Sequence, residues 1–450
     1  MRIVPIVDEG LGNSSYVVDL GDGSAVVIDP FRDPAPYLRE AERHGLRLRF
    51  AAETHLHADF VSGSRELARH GARVVASAAA PVAFPAELLD DGGELDAGGI
   101  TVRALGTPGH TPEHLSYLLS DGARPLAVFT GGTLIPGGVA RPDLLGPEHT
   151  ESLARAAYHS VRRLLALPDA LPVYPTHGPG SFCSAGGGGK RVSTIGEERA
   201  ANPLLRAATE EEFVRVLLSG LGSYPHYFRE LREVNQAGPA VVGDEPPALR
   251  ALDPAEAERL VRDGAELVDV RDIEAFARGH VPGSLSIAQR AQFTPWLGWL
   301  VRRDRPLVFV GDERTDRRAL VWAALSIGYE HLAGELSGGV DAWAASGRAL
   351  ARLPLVEPEA VDARRGIVDV RQADEWQAGH VDGAEHVELG ALPERAGALP
   401  GEPLVVHCAH GERAMTGASV LARAGHRDVV ALRGDPRRLA AALGRGVERA

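Results

Sequence analysis

Short apolar runs that stop abruptly at polar or turn residues mark much of the first 240 positions. The run 25–28 ends in Asp29 and Pro30, and 46–52 leads into Glu53, Thr54 and His55. Residues 100–105 alternate and then meet Thr107, Pro108, Gly109 and His110. The run 126–129 meets Thr130, Gly131 and Gly132, and 171–174 meets Pro175, Thr176, His177 and Gly178. Runs of this length predict β-strands, and helical periodicity such as that at 64–70 predicts helices between them. Strands that end in loops of His, Asp and Gly gather a site at one edge of their sheets. A helical stretch over 210–234 closes this region, and the Gly- and Pro-rich segment 236–247 reads as a linker.

Beyond it the pattern repeats. The run 267–271 (LVDVR) is followed by Gly279, His280 and Gly283, and the run 367–371 (IVDVR) by Gly379, His380 and Gly383. The later apolar runs 307–311 and 405–408 each end 17 residues before a glycine, Gly328 and Gly425. The period is too long for a solenoid unit. It predicts an N-terminal domain over 1–240 and two copies of one small α/β domain with a parallel sheet, over 250–352 and 355–450.

Composition narrows the classes of function. A chain of 450 residues exceeds one ordinary core. Its 48 basic and 61 acidic residues leave a charge of −13, which argues against a general phosphate-binding surface, so no nucleic-acid partner is expected. No run approaches the roughly 20 apolar residues that span a bilayer. Pro5, Asp8 and Glu9 stand where a signal peptide needs an unbroken apolar core. The expectation is therefore a cytoplasmic protein with no membrane partner, and a homo-oligomer is as compatible with the pattern as a monomer. Two cysteines, Cys183 and Cys408, are too few for a disulfide scaffold.

Cys408 follows the apolar run 403–406 and precedes the helical stretch 415–424. A cysteine between a strand and a helix N-terminus faces free backbone N–H groups and the positive end of the helix dipole. Both favour the thiolate, which is the nucleophile. Gly411 lets the loop curl so that its amides point inward as an anion-binding nest. Arg413 adds a charge that suits an anionic donor. A phosphatase loop of the Cys-x5-Arg type would need the arginine one position later.

The Asp369–Arg371 strand end, Glu375, the Gly379–Gly383 turn and the Cys-x-x-Gly-x-Arg loop together resemble the rhodanese family. The resemblance implies that Cys408 carries sulfur as a persulfide, and that Ala409, His410, Gly411, Glu412 and Arg413 bind it. It also implies thiosulfate or a small-molecule thiol persulfide as the sulfur source. The first copy departs from this pattern: Gly311 stands at the cysteine position, Arg314 at the glycine and Asp316 at the arginine. Without a nucleophile it reads as a structural or docking copy.

The N-terminal region holds a second constellation. His55, His57 and Asp59 lie two apart in one loop, and His110 and His177 end two further strands. His55 and His57 in a tight loop face one metal, and His110 supplies a third imidazole. The order and spacing resemble the metallo-β-lactamase fold, an αββα sandwich. The turn at Pro108–Thr111 and the end at Thr176–Gly178 resemble its glyoxalase II and persulfide dioxygenase branches. That resemblance implies non-haem iron held by two histidines, here His55 and His110, and a carboxylate, or zinc in a thioester hydrolase. Two residues depart from the family: Phe60 replaces the last His of His-x-His-x-Asp-His, and Gly132 replaces the Asp of Thr-Gly-Asp. A second metal position then keeps only Asp59 and His177. Two replacements for the lost carboxylate are a three-histidine iron site of His55, His57 and His110, and a contribution from Asp143. Cys183, in a glycine-rich stretch before Lys190 and Arg191, is either incidental or a second thiol beside the metal.

Overall fold

The computed structural model describes residues 1–449 except 187, 188 and 402, with the side chains of 96 and 97 also left aside. It divides into two compact units, Met1–Pro247 with Trp322–Gly328, and Ala248–Val321 with Tyr329–Ala450.

The first unit is built on two six-stranded sheets. One runs Ile3–Asp8, Asn13–Asp19, Ser24–Ile28, Arg47–Ala52, Arg73–Ser77 and Glu87–Leu89 in spatial as well as chain order. The other is centred on Ile100–Gly106, Leu115–Asp121, Arg124–Gly131 and Pro172–Pro175. Their inner faces share one core: Tyr16, Val18, Ile28 and Phe50 from the first sheet meet Val102, Tyr117, Leu119 and Phe129 from the second. The outer faces carry helices. Tyr37, Ala41 and Leu67 of Ala35–Arg43 and Ser64–Ala68 cover Val17 and Val27, and Ala154, Ala157 and Phe213 of Pro147–Leu164 and Glu210–Ser219 cover Val128 and Val173. Helix, sheet, sheet, helix is the order expected of an αββα sandwich.

Register places the strand ends that matter at one edge. Ile28 pairs with Ala52 in a parallel ladder, so Asp29 and the Glu53–His57 turn leave the sheet side by side. Gly131 pairs with Pro175 in a second parallel ladder, which brings Gly132 beside Thr176 and His177. An isolated bridge between Asn13 and His177 ties the two sheets together there.

Two expectations are corrected. The stretch 210–234 is two helices, Glu210–Ser219 and Phe228–Ala237, because Gly220, Gly222 and Pro225 interrupt the periodicity. The segment 236–247 does not behave as a free linker. Its first two residues are helical, and Glu66 then accepts from the backbone of Val242 at 2.7 Å and Gly243 at 3.0 Å.

The second unit contains the repeat. Its two five-stranded sheets are parallel and share one topology. The first orders Ala251–Leu252, Leu332–Leu336, Leu307–Val310, Glu266–Asp269 and Leu285–Ser286; the second orders Leu355–Val356, Val429–Leu432, Leu404–His407, Gly366–Asp369 and Ala384–His386. Among the described residues no helix is long and apolar enough to cross a membrane.

Candidate active sites

The histidines at the sheet edge converge. His55, His110 and His177 are all buried, and their ligand atoms lie within 4.8 Å of one another. Nε2 of His55 and Nε2 of His177 are 3.4 Å apart. Nε2 of His110 is buried with no hydrogen-bond partner. Asp29, His55 and His57 form a second such group, and His57, Asp59 and His177 a third, whereas His55, His57 and His110 together do not.

The other ring nitrogens are held by acceptors. Arg141 O accepts from Nδ1 of His110 at 2.7 Å. Asn13 donates Nδ2 to Asp59 at 2.6 Å, so its Oδ1 faces Nδ1 of His177 at 3.1 Å as an acceptor. The Thr54 hydroxyl donates to Asp29 at 2.7 Å, which leaves its oxygen to accept from Nδ1 of His55 at 2.8 Å. Burial, reinforced by the neighbouring imidazoles, pushes His55 well below its ordinary range and His110 down to about 3. These rings are neutral, as metal ligands must be.

His57 is placed differently. Its Nε2 is 3.2 Å from Asp29 and 3.2 Å from Glu53, and its ring lies on Phe60 with centroids 4.1 Å apart. Burial opposes its charge, yet the two carboxylates win and push it up to about 10. Asp29 is the hub of this edge. It adopts a positive φ of 50° and also receives the Thr54 N–H at 2.6 Å and the Thr176 hydroxyl. Burial would raise its carboxyl, but the His57 charge holds it below the usual range. Asp59 stands behind His177, 3.4 Å from Nδ1 rather than on the Nε2 side.

The two family departures have structural counterparts. Phe60 fills its place apolarly, packed on His57 and edge-on to Phe31. Gly132 donates its N–H to Nε2 of His114 at 3.0 Å, and a Cβ there would meet Cδ2 of His110 and Cβ of Ala140, each at 2.8 Å. Asp143 does not reach the histidines; Arg141 grips its carboxylate at 2.7 and 2.8 Å. Cys183 is fully buried, and burial together with the Asp59 charge pushes its thiol well above the ordinary range. Of its glycine-rich stretch, Gly187 and Gly188 lie outside the described residues. A cavity with apolar walls, among them Ala76, Ala80, Val82 and Phe84, reaches His55 and His57.

Sequence reasoning missed several residues here. His114 is buried and stacks on His55 with the rings 19° from parallel. Asn235 donates to the carbonyls of His57 and Phe60 at 2.7 and 2.8 Å, so the helix Phe228–Ala237 clamps the ligand loop from outside. Glu113 accepts from the Leu56 N–H at 3.1 Å. A polar residue on an otherwise apolar helix face was the available signal, as at Asn235, which is buried with Phe228 and Leu231.

The second site is the Cys408 loop. Cys408 is buried between the strand Leu404–His407 and the helix Glu412–Arg423. Gly411, at φ 128°, donates its N–H to Sγ of Cys408 at 3.1 Å. Arg413 is fixed by Glu375 through bonds of 2.5 and 2.8 Å. His410 and Glu412 line a cleft of about 420 Å³ whose other walls include Asp272, Gln289 and Arg290 of the cysteine-free copy. Inside the same unit, the two copies touch where Thr416 donates to Ser286 O at 2.7 Å. In the first copy, a Cβ on Gly311 would fall 2.8 Å from Oγ1 of Thr315 and 2.9 Å from Oε1 of Glu335. His407 was not anticipated; it is wholly buried beside Asp369, at 3.4 Å.

Comparison with known proteins agrees with both halves. Residues 8–177 match the family model of the metallo-beta-lactamase superfamily, and 253–346 and 355–437 match that of the rhodanese-like domain. The chain is 34% identical over 200 residues to the mitochondrial persulfide dioxygenase of Homo sapiens, covering 43% of this chain and 70% of that protein. It is 34% identical over 230 residues to a hydroxyacylglutathione hydrolase of Acidiphilium cryptum, covering 45% and 90%. The crystal structure of a metallo-beta-lactamase from Staphylococcus aureus superposes with a TM-score of 0.66 at 30% identity, covering 74% of this chain and 98% of that one.

Proposed function

This chain belongs to the metallo-beta-lactamase superfamily and carries two rhodanese-like domains after that fold, and on that premise we propose that it is an enzyme of sulfane-sulfur metabolism with Cys408 as its sulfur carrier. The observation that carries this reading is the Gly411 N–H on Sγ of Cys408, in a loop that leads into a helix N-terminus. Both features stabilise negative charge on sulfur.

In the reaction, the Cys408 thiolate attacks the outer sulfur of thiosulfate. The S–S bond of the donor breaks, sulfite leaves with the electron pair, and Cys408 becomes a persulfide anion. An acceptor thiolate or cyanide then attacks the terminal sulfur, and the Cys408 thiolate departs. A small-molecule thiol persulfide serves equally as donor, its thiolate leaving in place of sulfite. The loop amides and the Glu375-fixed Arg413 hold the anions through both steps.

The convergent imidazoles and the orphaned Nε2 of His110 fit a divalent metal in the first unit. Iron would supply O₂ chemistry towards a persulfide sulfur, and zinc would supply water activation for thioester hydrolysis. We favour the first, because sulfite and persulfide are then the shared currency of both halves of the chain. Around the metal, Arg141 O, Asn13 and Thr54 would fix the ligand tautomers.

The test is thiosulfate-to-cyanide transfer by the full chain and by Cys408→Ser, with O₂ uptake on glutathione persulfide measured alongside. Transfer lost in the variant, with sulfite released as O₂ is consumed, is the expected result. Transfer indifferent to Cys408 would overturn the carrier assignment. Hydrolysis of a glutathione thioester without O₂ uptake would make the first unit a hydrolase.

A further inference from the structure

We propose that this chain holds one metal ion on the Nε2 atoms of His55, His110 and His177, with His57 and Asp59 outside its coordination sphere. The inference rests on the reading that the first unit binds a metal, and names the ligands.

Geometry selects the set. Two nitrogens about 2.1 Å from one tetrahedral ion sit roughly 3.4 Å from each other, which is the separation found between Nε2 of His55 and Nε2 of His177. The hydrogen-bond partners select the same atoms. Arg141 O has no proton to give, the Asn13 amide spends its N–H on Asp59, and the Thr54 hydroxyl spends its proton on Asp29. Each Nδ1 therefore carries the N–H, and each Nε2 presents a lone pair, the arrangement by which outer groups orient metal-bound histidines. Nε2 of His110 is buried with nothing else to bind.

Both ring nitrogens of His57 and Oδ1 of Asp59 are also buried without a hydrogen-bond partner, but the charges around them differ. Nε2 of His57 faces Asp29 and Glu53 at 3.2 Å each, with Phe60 stacked on its ring. Asp59 lies on the Nδ1 side of His177 and is bound by Asn13, the position of an orienting carboxylate rather than a ligand. The slot of the missing aspartate is closed, since a Cβ on Gly132 would press on both His110 and Ala140. His177 thus completes the set with His55 and His110.

The set also names the class of ligand. Three neutral imidazoles leave the full double charge of the metal uncompensated within its first shell. Such a site favours an anionic donor in its open positions, and a thiol persulfide anion is one.

Cobalt(II) titration of the metal-free full chain tests this through visible absorption and through metal content per chain. X-ray absorption on the cobalt-loaded wild-type protein counts its imidazoles. One cobalt per chain with three imidazoles is expected. His177→Ala should weaken cobalt binding by about 100-fold or more, whereas His57→Gln, checked for folding by circular dichroism, should stay within about 10-fold. Two ions per chain, or retention in His177→Ala with loss in a folded His57→Gln, would overturn the ligand assignment alone. No cobalt bound by the wild-type chain would overturn the metal reading of the first unit itself.

Discussion

Gly132 and His110 are in such close apposition that a Cβ on the glycine would lie 2.8 Å from Cδ2 of the imidazole. Gly132→Ala must therefore displace a ring whose Nδ1 is anchored on Arg141 O. Overpacking of this kind costs about 1–3 kcal/mol. Thermal unfolding of the metal-free protein should show that loss, and cobalt affinity should fall with it. Gly132→Asp, which writes the family carboxylate back in, should behave like Gly132→Ala and leave the metal content at one or less. A second equivalent of metal in Gly132→Asp would mean the slot opens more easily than its contacts imply.

The strands that lead into the histidines were legible because each is a short apolar run cut off by turn residues, and observed bounds such as Arg47–Ala52 and Ile100–Gly106 differ from the expected ones by a residue. The repeat was legible for a simpler reason, since two copies of one sheet need the same residues at the same offsets. Asn13–Asp19 was not, because this strand, buried on both faces, begins with the polar run Asn13, Ser14 and Ser15, of which Asn13 serves the site and Ser15 bonds the neighbouring strand. The ligand choice was not legible either. His55 and His57 are equivalent in a one-dimensional pattern. They part only when Asp29 and Glu53 arrive from strand ends that the fold sets side by side.

His407 makes part of the second unit acid-sensitive. Burial holds its pKa down to about 4, below the ordinary 6.5. Between those values the unfolded chain binds a proton that the folded one refuses, so stability falls as pH drops through that window. The full effect is about 3 kcal/mol by the linkage relation. Hydrogen-exchange protection of the strand Leu404–His407, corrected for intrinsic rates, should decline from pH 6.5 to 4. His407→Phe should flatten that decline. A slope unchanged in the variant would assign the sensitivity to other groups.

Arg290 belongs to the cysteine-free copy, yet it lines the cleft shared with His410 and Glu412. Among the described residues its guanidinium holds the neutral amide of Gln292, at 2.9 Å, whereas Arg433 in the same cleft is paired with Glu274. Of the two arginines that line this cleft, Arg290 is therefore the one placed to draw in an anionic donor ahead of Arg413. Arg290→Ala should raise KM for thiosulfate by about 2–5-fold, the range of an exposed charge contact. Turnover at saturation should not change, because the residue has no part in the sulfur exchange. A fall in kcat at unchanged KM would refute this docking role.

The first copy cannot be revived by restoring its cysteine. In Gly311→Cys the new Cβ would fall 2.8 Å from Thr315 Oγ1 and 2.9 Å from Glu335 Oε1. Neither neighbour is free to yield: Thr315 accepts the Asp312 N–H at 3.0 Å, and Arg317 holds Glu335 at 2.7 and 2.8 Å. Crowding should cost about 1–3 kcal/mol. Charge compounds the difficulty, because a carboxylate next to a thiol disfavours the thiolate, whereas Cys408 receives the Gly411 N–H. The position matching Gly411 is Arg314, which is committed to Asp272 at 2.7 Å. A chain with both Cys408→Ser and Gly311→Cys should therefore show no thiosulfate-to-cyanide transfer above the Cys408→Ser background. Its intact mass after thiosulfate should gain no sulfur atom. Recovered transfer in that double variant would show that the first copy lost only its nucleophile, and that its loop still forms a cradle for sulfur.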